Sequence, residues 1–157
     1  MKRILIYIGI LAALIAAPVE RSDIGKLRPV QVVSVYKEKN WVVMETDTED
    51  KGYGGTVRQA LQNLKDTSSG IIYLDTADYL LVGRDIVEAA EELRQELKDN
   101  VRLCIAAKPL DLASVSQYLS VQGDLPKLKA WSEGEELPVL STFENSIIFL
   151  KKVENNA

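Results

Sequence analysis

Three hydrophobic patterns follow one another along the chain, and each predicts a different kind of element. Residues 4–17 form an unbroken apolar run behind two basic residues. Residues 30–36 and 41–46 are rich in β-branched and aromatic side chains, and the polar residues 37–40 between them form a linker short enough for a hairpin loop. The chain therefore begins with an apolar segment and continues with a predicted β-hairpin.

Helical spacing of apolar residues follows in three stretches. Thr56 is expected to cap the first helix and Asp85 the second, each with a Gln or Glu three residues later. Pro109 and Asp111 are expected to open the third helix. Gly123 is expected to end the third helix. The apolar stripes predicted to face the core are Val57, Ala60, Leu61 and Leu64; Ile86, Ala89, Ala90, Leu93 and Leu97; and Leu112, Val115 and Leu119.

Short apolar runs without helical spacing predict further strands, at residues 71–74, 79–82, 101–107, 138–141 and 146–150. The chain contains no internal repeat, no low-complexity tract and no composition typical of an interdomain linker. Residues 18–157 are therefore predicted to form one α/β domain, in which a mixed β-sheet packs against about three helices.

The amino-acid composition excludes several classes of function for this chain. The 157 residues are 46% hydrophobic and 27% charged, which is typical of a globular chain. A net charge of −4 argues against a general nucleic-acid binder, which needs a basic face. The chain has no histidine and one cysteine, Cys104. This excludes intrachain disulfides, Cys-rich zinc sites, catalytic pairs that need histidine, and His-ligated metals.

The basic start and apolar run of residues 1–17 are typical of a secretory signal. Fourteen helical residues span roughly 21 Å, less than the hydrocarbon core of roughly 30 Å. Leu14 or Ile15 stands where signal peptidase favours a small residue, and Pro18 follows the run. Three alternatives stay open: a cleaved signal, an uncleaved membrane anchor, or a buried element of a cytosolic protein. Export is favoured, with the remainder outside the membrane.

A glycine-rich stretch precedes the first helix, at residues 52–55. Glycines at a helix start can hold a phosphate, but the Lys-Ser/Thr tail of a P-loop is missing, and the acidic residues 47–50 lie just upstream. We interpret residues 52–55 as a loop that leads into a capped helix, and residues 47–50 as a solvated loop.

Three aspartates invite a chemical interpretation. Asp75 and Asp78 could pair as a general acid and base, or bind a hard cation together with Asp85. Turn formation explains the first two without catalysis, and helix capping explains the third. Structural roles are therefore favoured for all three.

The remaining candidates are one thiol and two tryptophans. Cys104 lies within an apolar strand, where burial keeps a thiol inert. Trp41 and Trp131 could contribute to a binding face, but packing in the core or at an edge is favoured for each. No catalytic, cofactor-binding or metal-binding residue is assigned, and the chain is predicted not to be an enzyme.

The order of elements resembles the N-terminal domain of the C subunit of bacterial spore germinant receptors, the GerAC-like lipoproteins. The similarity extends over residues 18–123. Four stretches carry it: residues 20–24 (ERSDI), residues 55–64 (GTVRQALQNL), the strand-turn-strand region from Tyr73 to Ile86 that contains LLVGRDI, and residues 101–108 (VRLCIAAK).

The resemblance implies a non-enzymatic module on the outer face of the cytoplasmic or spore inner membrane. It would dock to integral membrane proteins of a germinant-receptor-like complex and act in spore germination or sporulation. Pro18 stands near the position of the family's acylated cysteine, and Thr76 near that of a common histidine. The family's two further domains have no counterpart, so the resemblance implies a single-domain relative in which residues 4–17, if uncleaved, provide the attachment.

Two other functions remain as alternatives. One is an extracytoplasmic module that binds a small ligand at residues 52–55 or in a crevice at the carboxyl ends of the strands. The other is a hydrolase that uses the carboxylate of Asp75, Asp78 or Glu144.

Overall fold

The structure, a computed structural model, describes residues 27–122, 125–132, 134–144 and 146–151. The predicted signal or anchor and Gly123 lie outside these residues. The strands are β1 (Leu27–Pro29), β2 (Val32–Glu38), β3 (Trp41–Thr46), β4 (Lys51–Gly54), β5 (Ile71–Tyr73), β6 (Tyr79–Gly83), β7 (Arg102–Ala106), β8 (Val139–Phe143) and β9 (Ser146–Lys151). The helices are α1 (Val57–Thr67), α2 (Ala89–Leu93) and α3 (Leu112–Ser120).

Seven of the strands form one mixed sheet in the order β4-β3-β2-β6-β7-β8-β9. Its four central strands, β2, β6, β7 and β8, run parallel, and an antiparallel hairpin closes each side. β1 and β5 form a separate parallel pair. The predicted α/β class, with a mixed sheet and three helices, is confirmed. Among the described residues, no helix has both the length and the apolar character needed to cross a bilayer.

The two sheet faces carry different helices. On the first face, which we call the α1–α2 face, Leu80 and Val82 pack with Leu64 and Leu93 of those helices. On the opposite face, the α3 face, Leu81 belongs to a second cluster with α3 residues such as Val115 and Leu119. Every residue of β6 is buried, because helices cover the centre of the sheet on both sides.

Helices α1 and α3 begin as the sequence predicts. The Thr56 hydroxyl accepts from the Gln59 amide at 3.2 Å, and the Gln59 side chain accepts from the Gly55 amide at 3.0 Å. Asp111 accepts from the Ser114 amide at 3.3 Å. The predicted apolar stripes of both helices are buried. Local capping chemistry and apolar spacing therefore define these two helices.

The second predicted helix is much shorter than expected. Only Ala89–Leu93 is α-helical, its N-cap is Glu88, and no side-chain hydrogen bond caps it, so the capping role predicted for Asp85 is wrong. Turns with i to i+3 backbone bonds extend the segment on both sides. All five predicted stripe residues are nevertheless buried. The apolar stripe is thus buried against the sheet although the segment is not a continuous helix.

Two predicted loops are wrong in extent. Residues 37–40 narrow to a two-residue turn, because Glu38 pairs directly with Trp41 and Lys39 adopts a positive φ of 56°. Residues 52–55 are largely strand β4. A Cβ on Gly52 would lie 2.2 Å from the Ala60 carbonyl oxygen, so the absence of a side chain lets α1 pack directly on this strand.

Candidate interaction surface

One part of the α3 face carries no helix of the described chain. Helix α3 packs near the start of β2, where the Ser116 hydroxyl donates to Gln31 at 2.6 Å. Farther along β2, Tyr36 stands opposite Val43 of β3, which in turn stands opposite Tyr53 of β4. Directly opposed residues share a face of the sheet, so these side chains form one row across three strands.

Trp41 lies on the same face, two residues before Val43 on β3. We call Tyr36, Trp41, Val43 and Tyr53 the aromatic face. Trp41 is 56% exposed and Tyr53 is 49% exposed, whereas Val43 is fully buried between its opposed tyrosines. Of the two kinds of packing predicted for Trp41, in the core or at an edge, this exposure excludes the core.

A polar bridge lies beside the aromatic rings. The Tyr36 hydroxyl donates to Glu45 at 3.2 Å, and the Lys51 ammonium lies 2.8 Å from the other oxygen of that carboxylate. Burial and the Glu45 carboxylate both raise the pKa of Tyr36. The hydrogen bond to Glu45 raises the pKa of Lys51. At neutral pH the face therefore presents a neutral phenol donor and a paired carboxylate and ammonium.

The second tryptophan has the packing role that the sequence predicts. Trp131 is buried in the core on the α1–α2 face, and its indole N–H donates to the Glu135 carbonyl at 3.3 Å. Arg94 donates to the Trp131 carbonyl at 2.7 Å, which joins the end of the α2 segment to this residue. Of the two tryptophans, Trp41 is the exposed one and Trp131 is buried.

The three candidate aspartates do not form one site. Asp78 pairs with Lys98 at 2.8 Å before β6, whereas Asp85 follows that strand. Five strand residues separate the two positions by about 17 Å. Asp75 lies in a short 3-10 turn, Leu74–Thr76. Within the described ranges, no group of three acidic, histidine or cysteine residues could hold a metal ion.

Glu144 lies at the opposite end of the sheet from Asp75 and Asp78. It occupies the turn after β8, with a φ of 47°, at the carboxyl ends of the parallel strands. Asp78 directly precedes β6 and therefore lies at their amino ends. The structure does not combine Glu144 with Asp75 and Asp78 in one carboxylate site.

Cys104 is fully buried in β7, as the sequence predicts. Burial raises the pKa of its thiol to about 12. Because the thiolate is the nucleophilic form, the side chain is unreactive in the native state.

The acidic residues 47–50 are more structured than a solvated loop. The Asp47 carboxylate accepts from the Gln31 and Val32 amides at 3.0 and 3.2 Å. Asp50 accepts from Thr48 at 2.8 Å and from Arg28 at 3.1 Å. Burial alone would raise the pKa of Asp50, but hydrogen bonds from Thr48, Arg28 and Ser68 outweigh it, and the pKa is lowered.

The glycine-rich stretch offers little to an anion. The Gly55 amide donates to the Gln59 side chain, and the Tyr53 amide donates to Asn63 at 2.9 Å. These two amides of the glycine-rich stretch already have protein acceptors. The packing of Gly52 and Gly54 against α1 accounts for those glycines without a bound phosphate.

The sequence pattern identified Trp41 as a possible part of a binding face but did not connect it with Tyr36 and Tyr53, because the strand register that places the three in one row comes from the tertiary structure. A weak signal was present in β4, where Gly52, Tyr53 and Gly54 alternate between no side chain and a large one. Comparisons with family models, with curated proteins and with solved structures find no match to this chain. The resemblance to germinant-receptor C subunits rests on the sequence motifs.

Proposed function

We propose that this chain is a non-catalytic, exported and membrane-proximal interaction module. It docks to integral membrane proteins of a germinant-receptor-like complex and acts in spore germination or sporulation. The single observation that carries the docking role is the aromatic face, and the N-terminal pattern of residues 1–17 together with the family resemblance supports the location and the biological setting.

Aromatic side chains suit a docking role for a physical reason. Trp and Tyr supply a large contact area with few rotatable bonds, and both are enriched among the residues that dominate binding energy. Trp41 and Tyr53 stand on neighbouring strands whose opposite face packs against α1. A rigid base reduces the conformational entropy that is lost when a partner binds.

The polar bridge is compatible with burial by a partner. Glu45 and Lys51 pair with each other, and Tyr36 already donates to Glu45. Covering the aromatic face would therefore leave neither charge without a partner, which is the costly outcome at an interface.

Quantitative co-purification from detergent-solubilised membranes of sporulating cells tests the docking role. The full chain would be compared with the Trp41→Ser/Tyr53→Ser double variant, and Val121→Ser serves as the control because Val121 is an exposed apolar residue at the end of α3, outside the strands that form the aromatic face. We expect specific integral membrane proteins to be enriched with the wild-type chain and the control, and about ten-fold less with the double variant.

Enrichment that is equal in all three samples, although the variants melt like the wild type, would overturn the aromatic face as the docking site. Protease accessibility in intact protoplasts tests the location. Intact full-length protein recovered from the cytosol would overturn export.

A further inference from the structure

A second surface lies at the other end of the sheet, on the α1–α2 face. In β8 and β9, Leu140, Ile147 and Phe149 pack in the cluster on the α3 face. Because side chains alternate along a strand, Phe143 and Ile148 point to the opposite side. Phe143 is 61% exposed. Leu150 is 55% exposed, but it lies at a register shift between β8 and β9, where alternation does not determine its side. We call Phe143 and Ile148 the β8–β9 face.

An open groove continues the β8–β9 face towards the centre of the sheet. It encloses about 520 Å³, and Ile105, Trp131, Leu137 and Val139 contribute to its apolar lining. Ile105 pairs with Val139 in the sheet, so the groove and the β8–β9 face share one side of β8. Together they form a mostly apolar strip, in which the polar Ser141 stands between Val139 and Phe143.

The strip is wide enough and long enough to accommodate one helix. On this face α1 contacts β3 and β4, and α2 contacts β6, whereas the helix in contact with β9 is α3, which packs on the opposite face. Two neighbouring strands span about 10 Å, which matches the diameter of one helix. The six residues of β9 extend about 20 Å, the length of about 13 helical residues.

Charge at the rim indicates the chemistry of the occupant. Glu88 and Glu135 line the groove and are exposed to solvent. The nearest cation to Glu88 among the described ion pairs is Lys37, at 3.9 Å. The Glu135 carboxylate accepts a hydrogen bond from the Ser132 amide at 3.3 Å. Because an amide has no net charge, this hydrogen bond does not neutralise the carboxylate. A helix that presents Lys or Arg along this flank would be electrostatically complementary.

We propose that the β8–β9 face and its groove bind a basic amphipathic helix of about 13 residues from a partner protein. Its apolar stripe lies on Phe143 and Ile148, and its basic flank faces Glu88 and Glu135. The chain's own residues 4–17 do not fit this description, because that run has no polar side and would leave apolar side chains in water.

Site-specific photo-crosslinking tests the proposal in cells that express the full chain. The photoreactive residue p-benzoylphenylalanine would be incorporated in place of Phe143, with Tyr73 as the matched control because it is an exposed aromatic residue of β5. Mass spectrometry then maps the crosslinked segment. We expect adducts from position 143 to a segment with apolar helical spacing and a Lys/Arg stripe, and few from position 73.

A charge variant distinguishes this mode of binding from nonspecific hydrophobic association. In the Glu88→Lys/Glu135→Lys background, adduct yield from position 143 should fall about ten-fold through loss of two exposed ion pairs. An unchanged yield overturns the proposal. So do adducts to a second copy of this chain, adducts to residues 4–17, or yields no higher than those at position 73.

The result is independent of the aromatic face. The Trp41→Ser/Tyr53→Ser variant should retain the adduct at position 143. If the Trp41→Ser/Tyr53→Ser variant loses co-purification but position 143 gives no helix adduct in any sample, the proposed function stands. That outcome overturns only the proposal for the β8–β9 face.

Discussion

At the scale of single residues, the clearest lesson comes from Gly52 and Gly54. In the sequence these glycines suggest a flexible loop or an anion site. In the structure they face helix α1, and a Cβ on Gly54 would lie 2.4 Å from the Ala60 nitrogen. Their role is to permit close packing of a strand and a helix, which is a tertiary requirement that local sequence cannot distinguish from turn formation.

Replacing Gly54 by alanine should lower the free energy of unfolding by about 1–3 kcal/mol or more, because the new methyl group meets backbone that cannot move aside cheaply. Gly55→Ala is the matched control. Its Cβ would meet only the Gln59 side-chain oxygen, at 3.2 Å, and that side chain can shift. Urea denaturation measures both; equal losses would contradict the packing role.

Asp50 should give stability a measurable pH dependence. Its folded-state pKa is lowered from the ordinary value of 3.8, so its contribution is fully present above that value and is lost as pH falls through the folded-state pKa. Asp50→Asn should therefore be less stable than the wild type at pH 7, and the difference should shrink below about pH 4. Urea denaturation at a series of pH values between about 2 and about 7 measures this difference in the free energy of unfolding.

The exposed Glu49→Gln variant is the control for Asp50, and its stability should stay within about 0.5 kcal/mol of the wild type. A difference between Asp50→Asn and the wild type that does not change with pH would contradict the role of the Asp50 charge.

At the scale of elements, the contrast between α1 and α2 shows what a helical pattern does and does not specify. Both segments have a buried apolar stripe, yet α1 spans Val57–Thr67 and α2 only Ala89–Leu93. The first has a complete capping box, whereas the second has no side-chain cap. The hydrophobic stripe therefore specifies burial, while the capping hydrogen bonds define where a regular helix starts.

Removing the cap of α1 tests this distinction. Thr56→Ala should lower the free energy of unfolding by about 1 kcal/mol, because the Gln59 amide loses its acceptor. Arg58→Ala, at an exposed site in the same turn, should change it by less than about 0.5 kcal/mol. Thermal unfolding followed by circular dichroism measures both, and a neutral Thr56→Ala would show that packing alone sets this helix end.

At the scale of the whole molecule, the described residues hold two core clusters, one on each face of the sheet. Helices cover the central strands on both faces, but the two lateral hairpins each have one face without a described helix. β2, β3 and β4 expose the aromatic face on one side of the sheet, and β8 and β9 expose their face on the other side. The two proposed surfaces therefore lie at opposite edges and on opposite faces, so two partners could be held at once.

Deletion of residues 2–17 should leave a folded domain, since the described members of the two core clusters already cover both faces of the central strands. We expect a monodisperse protein that melts cooperatively, measured by sedimentation and circular dichroism. An aggregated or non-cooperative product would show that residues 4–17 belong to the folded core, and it would contradict the export interpretation.

The sequence by itself determined most elements of the sheet and the buried stripes of all three helical segments. It also determined the caps at Thr56 and Asp111 and the inert character of Cys104. These features follow from local hydrogen bonding and from the spacing of apolar residues, which neighbouring positions in the chain suffice to encode.

Only the tertiary structure decided the separate β1–β5 pair, the length of α2, the use of Gly52 and Gly54, and the exposure of Trp41 and Phe143. The physical reason is the same in each case. Periodicity specifies which side of an element is apolar, but the arrangement of distant elements determines whether another layer covers that side. Both candidate surfaces lie where no described helix covers the sheet.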